Sequence, residues 1–170
     1  MASYRRPKGT VVRHVPDWNS AKLYYGFIQN SFSSAQDYFD GFTNFETDGS
    51  SLVIWDCTIS LQHFSAADNS SQSADWLILP AVQQGPVIGF APIDPFSASI
   101  MSTLNHNYDT SAALLTNTPF YAALSGQGTW QWPHEWPMAI IRPGWSFLVN
   151  FAFTNATAGL GVLVERTQYT

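Results

Sequence analysis

One cysteine, four histidines and a tight group of acids are the residues of this chain with reactive chemistry to offer. Cys57 would need exposure and a neighbouring base or cation to act as a nucleophile. It falls at an apolar position of an alternating run, so a small buried thiol is the expected role. Without a second cysteine, an internal disulfide and a Cys-based zinc site are excluded. His14, His63, His106 and His134 are scattered and show no metal-ligand spacing. Asp37, Asp40, Glu46 and Asp48 form the densest acidic stretch and could hold a divalent cation or work as a carboxylate pair. Asp40-Gly41 and Asp48-Gly49 are turn dipeptides, so solvated turns are the expectation there. Gly144-Trp145-Ser146-Phe147 is followed by Leu148, not by the glycine of a nucleophile elbow. Gly126-x-Gly128 and Gly159-x-Gly161 lack the third glycine of a phosphate loop. No catalytic residue, metal or cofactor is expected, and the chain reads as a non-enzyme.

The most unusual local feature is Trp130-Gln131-Trp132-Pro133-His134-Glu135-Trp136-Pro137. In an extended chain Trp130, Trp132, His134 and Trp136 share one face. Such a face suits an interface anchor or a cap on a core, because Trp is enriched at binding hot spots. A platform for stacking sugar rings is the alternative. Pro133 and Pro137 keep the segment out of a central strand.

The elements that would position these residues read as strands. In 52–62, Val53, Trp55, Cys57, Ile59 and Leu61 alternate with Leu52, Ile54, Asp56, Thr58, Ser60 and Gln62. In 145–154, Trp145, Phe147, Val149, Phe151 and Phe153 alternate with Ser146, Leu148, Asn150, Ala152 and Thr154. That period of two marks half-buried strands. Asp48-Gly49 favours a hairpin turn, which predicts pairing of 42–47 with 51–62. Further strands are expected over 10–15, 23–29, 75–79, 86–91, 138–142 and 159–168, with turns at Pro143-Gly144 and at 154–158. Ser33 with Gln36 suggests one short helical turn over 34–39, and short helical pieces are expected over 97–104 and 109–115. The Ser-rich segment 65–74 reads as an exposed loop. Many short strands divided by turn residues predict an all-β antiparallel sandwich of jelly-roll type, with at most short helical turns.

Only 11 % of the residues are charged, against about 25 % in ordinary soluble domains. Seven Trp, seven Tyr and twelve Phe are many for one core of 170 residues, so part of them should lie in contacts between chains. Disorder and a coiled coil do not fit this composition. The 143–164 and 76–93 stretches lack charge but are broken by proline and polar residues, so neither reads as a membrane span and no membrane partner is expected. The net charge of −5 is unevenly placed: Arg5, Arg6, Lys8 and Arg13 precede every acid in the chain. No apolar run follows them before Arg13, so a secretory leader is not expected. Residues 1–16 therefore read as an extended basic arm, kept from helix by Pro7 and Pro16, and 17–170 as a single sandwich. With Tyr4, Val11, Val12 and Val15, the arm has the apolar content to add a strand to a neighbouring protein. Nucleic acid is the weaker partner for it, since the body is acidic.

The last third of the chain carries a resemblance. Thr118-Pro119-Phe120 is followed by Trp136-Pro137-Met138-Ala139-Ile140-Ile141-Arg142-Pro143-Gly144, an alternating strand ending Phe153-Thr154-Asn155, and a closing run from Leu160 to Tyr169. This resembles the C-terminal half of small jelly-roll structural proteins of tailed-bacteriophage virions, of the minor capsid, decoration, head-fibre and tail-adaptor type. The resemblance covers about a third of the chain. It implies a virion component assembled in the host cytoplasm. Its partners would be copies of itself, with a trimer as the best guess, and other virion proteins such as the major capsid protein. The competing reading is a carbohydrate- or receptor-binding sandwich that uses the Trp130–Trp136 face.

Overall fold

The computed structural model of the chain describes residues 22–32, 36–63, 72–80, 87–100, 102–108, 119–132, 136–153 and 155–168. They form twelve strands: β1 Leu23–Phe32, β2 Gln36–Thr43, β3 Ser51–His63, β4 Ser73–Leu79, β5 Val87–Gly89, β6 Ala91–Pro92, β7 Thr103–Tyr108, β8 Tyr121–Ser125, β9 Gly128–Gln131, β10 Ala139–Ile141, β11 Ser146–Phe153 and β12 Ala156–Thr167. No helix occurs among the described residues. The expected strand 10–15, helical piece 109–115 and most of loop 65–74 lie outside them.

The strands build two antiparallel sheets. One runs β10-β3-β12-β1-β6, with β9 also on β3; the other runs β5-β7-β2-β11-β4-β8. Consecutive strands β1 and β2 pair with consecutive strands β12 and β11, one pair in each sheet. On the far side of the same two strands, β3 joins β12 and β4 joins β11. A long two-chain ribbon is thus rolled around the core, with β8 and β9 closing it. This is the jelly-roll form of the sandwich. The strands β5, β6 and β7 are an insertion between β4 and β8 that widens both sheets on the β1/β2 side.

Apolar alternation fills the space between the sheets. Phe147, Val149, Phe151 and Phe153 of β11 meet Leu160, Val162 and Val164 of β12 and Cys57, Ile59 and Leu61 of β3 in one buried cluster. In β3 the alternation changes phase. The pairing passes from Asp56↔Leu163 to Ile54↔Val164, leaving Trp55 as an extra, bulged residue. Beyond it Ile54 and Leu52 point into the main core, while Val53 and Trp55 join Leu23 and Leu163 in a separate buried cluster. The single face expected for Val53 through Leu61 is therefore split in two, because one inserted residue inverts every later side chain. The indole of Trp55 donates to Glu165 Oε2 at 2.8 Å. A third cluster of Phe39, Leu77, Leu79 and Leu148 is also buried.

Four sequence expectations are corrected. The hairpin between 42–47 and 51–62 does not form. β2 pairs with β11 and β7, and β3 lies in the other sheet. The Asp48-Gly49 turn exists, with Gly49 at φ +80, but it carries the chain from one sheet to the other. The helical turn over 34–39 gives way to β2 from Gln36 onward. There Tyr38 packs on Phe151 and Phe153, and Phe42 on Phe90 and Phe147. Two-sided pairing and aromatic burial outweigh a local cap. The described residues of 97–104 hold no helix either; they lead into β7. Within β2, Asp40-Gly41 is strand rather than turn. Gly41 sits opposite Leu148, and a Cβ there would collide with the carbonyl oxygen of Phe147. The glycine permits this close approach of two backbones.

Candidate functional site

The residues with reactive chemistry are spread over the fold and mostly engaged in holding it. Cys57 is fully buried, and burial pushes its thiol well above the ordinary range. A thiol held in this state is a poor nucleophile. In the native protein it should react with a thiol reagent only after unfolding, whereas denatured protein should label within minutes. Native labelling at the rate of a free thiol would show that β3 is not a core strand.

The acidic stretch is not the set of solvated turns that its glycines suggested. Asp40 is fully buried, and Asn30 Nδ2 donates to its Oδ2 at 3.1 Å. Beside it, burial in the first place and the Asp40 charge in the second push the Tyr38 hydroxyl upward. Glu46 is buried too. Its Oε1 accepts from Ser102 N at 3.2 Å, and its Oε2 lies 3.1 Å from Arg166 Nε. Asp48 is exposed. Its Oδ2 meets Arg166 Nη2 at 2.6 Å, and hydrogen bonds from Ser50 hold its carboxyl below the usual range. Arg166 thus joins the 44–50 turn to the end of β12. Lys22, Asp48, Ser50, Arg166, Thr167 and Gln168 line a cleft of about 190 Å³ there. Asp40 bonds to Asn30 while Glu46 and Asp48 meet on Arg166, and no group of three metal-ligating side chains is found among the described residues. His63 ends β3, with Nδ1 2.8 Å from Gln72 Nε2. His106 lies in β7 opposite Asp40, while His14 and His134 lie outside the described residues.

Of the tryptophan segment, Trp130 lies in β9 and Trp132 just beyond it. Both pack against the main core, with ring centroids 6.2 Å apart and planes tilted by 49°. The Trp132 indole donates to the carbonyl of Trp136, whose own side chain is 52 % exposed. The structure therefore places two of the rings as a cap on the core and one at the surface. His134, and the arm residues Tyr4, Arg5, Arg6, Lys8 and Arg13, lie outside the described residues.

What the surface does carry is exposed apolar area. Tyr25, Phe27, Ile93, Phe96, Phe120, Tyr121, Trp136, Ile140 and Trp145 all remain exposed. Phe96 is 94 % exposed, although the turn that presents it is well fixed. Asp94 Oδ1 accepts from Phe96 N and the Asp94 carbonyl from Ser97 N, each at 3.0 Å. Ile93 N donates to the Leu23 carbonyl, and Tyr24 Oη donates to the carbonyl of Ala98 on the other side of the turn. The sequence carries a signal for this turn in Ile93-Asp94-Pro95-Phe96-Ser97, an Asp-Pro turn flanked by large apolar residues. Tyr121 stacks on Trp76 at 4.3 Å.

No helix of the described residues is long and apolar enough to cross a membrane. No protein family, curated protein or solved structure matches the chain.

Proposed function

We propose that this chain is a non-enzymatic structural protein of a tailed-bacteriophage virion. In this reading it is a capsid-associated decoration or minor capsid protein, or a tail or fibre module. It assembles as a homo-oligomer of three subunits and attaches to other virion proteins such as the major capsid protein through its basic arm. The observation that carries the reading is the apolar surface. Among the described residues, a jelly roll that buries three apolar clusters still leaves nine large hydrophobic side chains exposed. Surfaces kept free in solution are normally richer in Lys and Glu and poorer in such residues. The resemblance of residues 118–169 to virion jelly rolls points the same way. In the arm, Arg5, Arg6 and Lys8 suit an acidic patch on a neighbour, and Val11 and Val12 an open sheet edge.

The test is the composition of particles. In particles banded from a lysate of the host that carries the gene, the chain should be present at a fixed copy number. Deleting residues 2–13 should leave the melting temperature nearly unchanged and remove the chain from the particles. Recovery of the full-length chain only in the particle-free fraction would overturn the reading.

A further inference from the structure

The outer face of the β10-β3-β12-β1-β6 sheet carries two aromatic rings in polar surroundings. Ile28, Leu160, Val162, Cys57 and Ile59 of this sheet point into the main core, so the residues between them point outward. The register sets these in rows: Phe27, Gly161, Thr58 and Gln131, then Gln29, Gly159, Ser60 and Thr129. The middle strand, β12, has no side chain at Gly159 or Gly161, and rings of β1 lean over its bare backbone. A Cβ at Gly161 would meet Tyr25 Oη at 2.9 Å and the Phe27 ring at 3.5 Å; one at Gly159 would meet the same ring at 3.7 Å. The rings rest on β12 on one side and meet water on the other, Tyr25 being 43 % and Phe27 49 % exposed. The other side chains of these two rows are polar and uncharged. The nearest acid, Asp56, stands one row away, opposite Leu163. In the row beyond Gln29, Ser31 and Thr157 share a hydrogen bond of 2.7 Å. The outward residue of β3 in that row, Gln62, opens on a cleft of about 500 Å³ lined also by Leu61, His63, Gln127 and Gly128.

We propose that this face binds a neutral glycan, whose pyranose rings stack on Phe27 and Tyr25 while its hydroxyls bond to the Gln, Ser and Thr side chains beside them. The proposal does not rest on the virion reading and adds a binding activity to it. A pyranose ring has apolar C–H faces and a rim of hydroxyls that both donate and accept. The negative π-face of an aromatic ring attracts those weakly positive C–H groups. Amides and hydroxyls offer donors and acceptors together, which is what the hydroxyl rim requires. Charge matches as well. Rows of uncharged groups suit an uncharged ligand. They suit neither nucleic acid, whose phosphates call for Lys and Arg, nor an anionic membrane surface, which calls for a polybasic one. The cleft at Gln62 ends the face and has a volume within the ~300–1,000 Å³ of small-ligand sites. Phe27 and Tyr25 are also in place before a ligand arrives, since they rest on the glycine backbone, so less rotamer freedom is lost on binding. β9 turns Trp130 into the core and Thr129 and Gln131 toward this face. The stacking role that the sequence suggested for the tryptophans passes in this way to β1.

A glycan array probed with the labelled full-length chain tests this. Neutral hexose and N-acetylhexosamine oligomers should bind, and sialylated or sulfated versions should gain nothing from their charge. Affinity for the best neutral oligomer, read by calorimetry, should hold between about 0.05 and 0.5 M salt, since no ion pair is involved. Phe27→Ala should weaken it roughly tenfold. Phe27→Leu keeps an apolar cover on the glycines but has no π-face, so it should weaken binding alike; thermal melts check that both variants fold. Trp136→Ala, outside these rows, should leave the affinity unchanged. Three results overturn the proposal: no neutral oligomer bound, binding confined to acidic glycans, or binding that survives Phe27→Leu and fails with Trp136→Ala. So does a wild type whose self-assembly, followed by mass photometry, is abolished by Phe27→Asp, because the face is then a contact between copies.

Discussion

Replacing Phe151 with alanine should lower the unfolding free energy by about 3–5 kcal/mol, the usual loss for a buried aromatic. The residue is fully buried at the centre of β11. That strand is flanked by β2 on one side and β4 on the other, so its backbone is locked by two ladders. Collapse of the strand into the vacated space would break those ladders, so little of the cavity can be recovered. The ring of Tyr38 lies 5.6 Å from that of Phe151 and 5.7 Å from that of Phe153. Losing the Phe151 ring therefore also strips contacts from a buried tyrosine. Urea unfolding followed by tryptophan fluorescence reads the change as a shift in midpoint at unchanged slope. Trp145→Ala is the control: Trp145 lies outside β11 and is exposed, so it should shift the midpoint by less than about 1 kcal/mol in equivalent stability. A Phe151→Ala protein as stable as the wild type would mean that the two sheets do not share this core.

The same residues show what was legible in the sequence. The alternation in 145–154 is uninterrupted, and its apolar face from Phe147 to Phe153 is the core face of the fold. The alternation in 52–62 is just as clear on paper, yet Trp55 breaks its phase. A bulge is set by the facing strand, β12, which lies a hundred residues away, so no local pattern announces it. β2 failed for a related reason. Ser33 and Gln36 are spaced as a cap and Asp40-Gly41 as a turn, and those local signals lost to pairing with β11 and β7. Connectivity was legible only as a class, because turn residues mark where the chain reverses but not which strand it meets next. The candidate site fared likewise. The reactive residues form no local motif in the sequence, and Glu46 looked solvated because its partner Arg166 is remote in sequence. The exposed Phe96 could have been suspected from its Asp-Pro turn. That its turn lies against the start of β1 follows only from β6 pairing with β1.

Removing the guanidinium of Arg166 should be the most damaging change to a charged residue among those described. Arg166→Met keeps the apolar stem but takes from Glu46, 4 % exposed, the guanidinium that faces its carboxylate, while the Ser102 amide and hydroxyl stay in place. Breaking a buried pair from one side costs about 3–5 kcal/mol, since the remaining charge stays desolvated. Arg166 is itself 30 % exposed, which places the expected loss near the lower end, about 3 kcal/mol. Asp48 adds little to this: hydrogen bonds from Ser50 are the first cause of its lowered carboxyl, ahead of Arg166, and they survive the substitution. The sign of that shift sets the acid response. A carboxyl whose folded value lies below its unfolded one stabilises the fold above the ordinary carboxylate range and loses that contribution as pH falls through the folded value. The Asp48 contribution should therefore fade with acid in wild type and variant alike. The decisive measurement is a double-mutant cycle at neutral pH. With Glu46→Gln added, Arg166→Met leaves a neutral amide in place of a buried charge, and the double variant should recover most of the loss. Coupling of at least about 1.5 kcal/mol is expected for groups that share a buried contact. If the two substitutions simply add, Glu46 is solvated and the tie between the 44–50 turn and the end of β12 does not hold this end of the sandwich together.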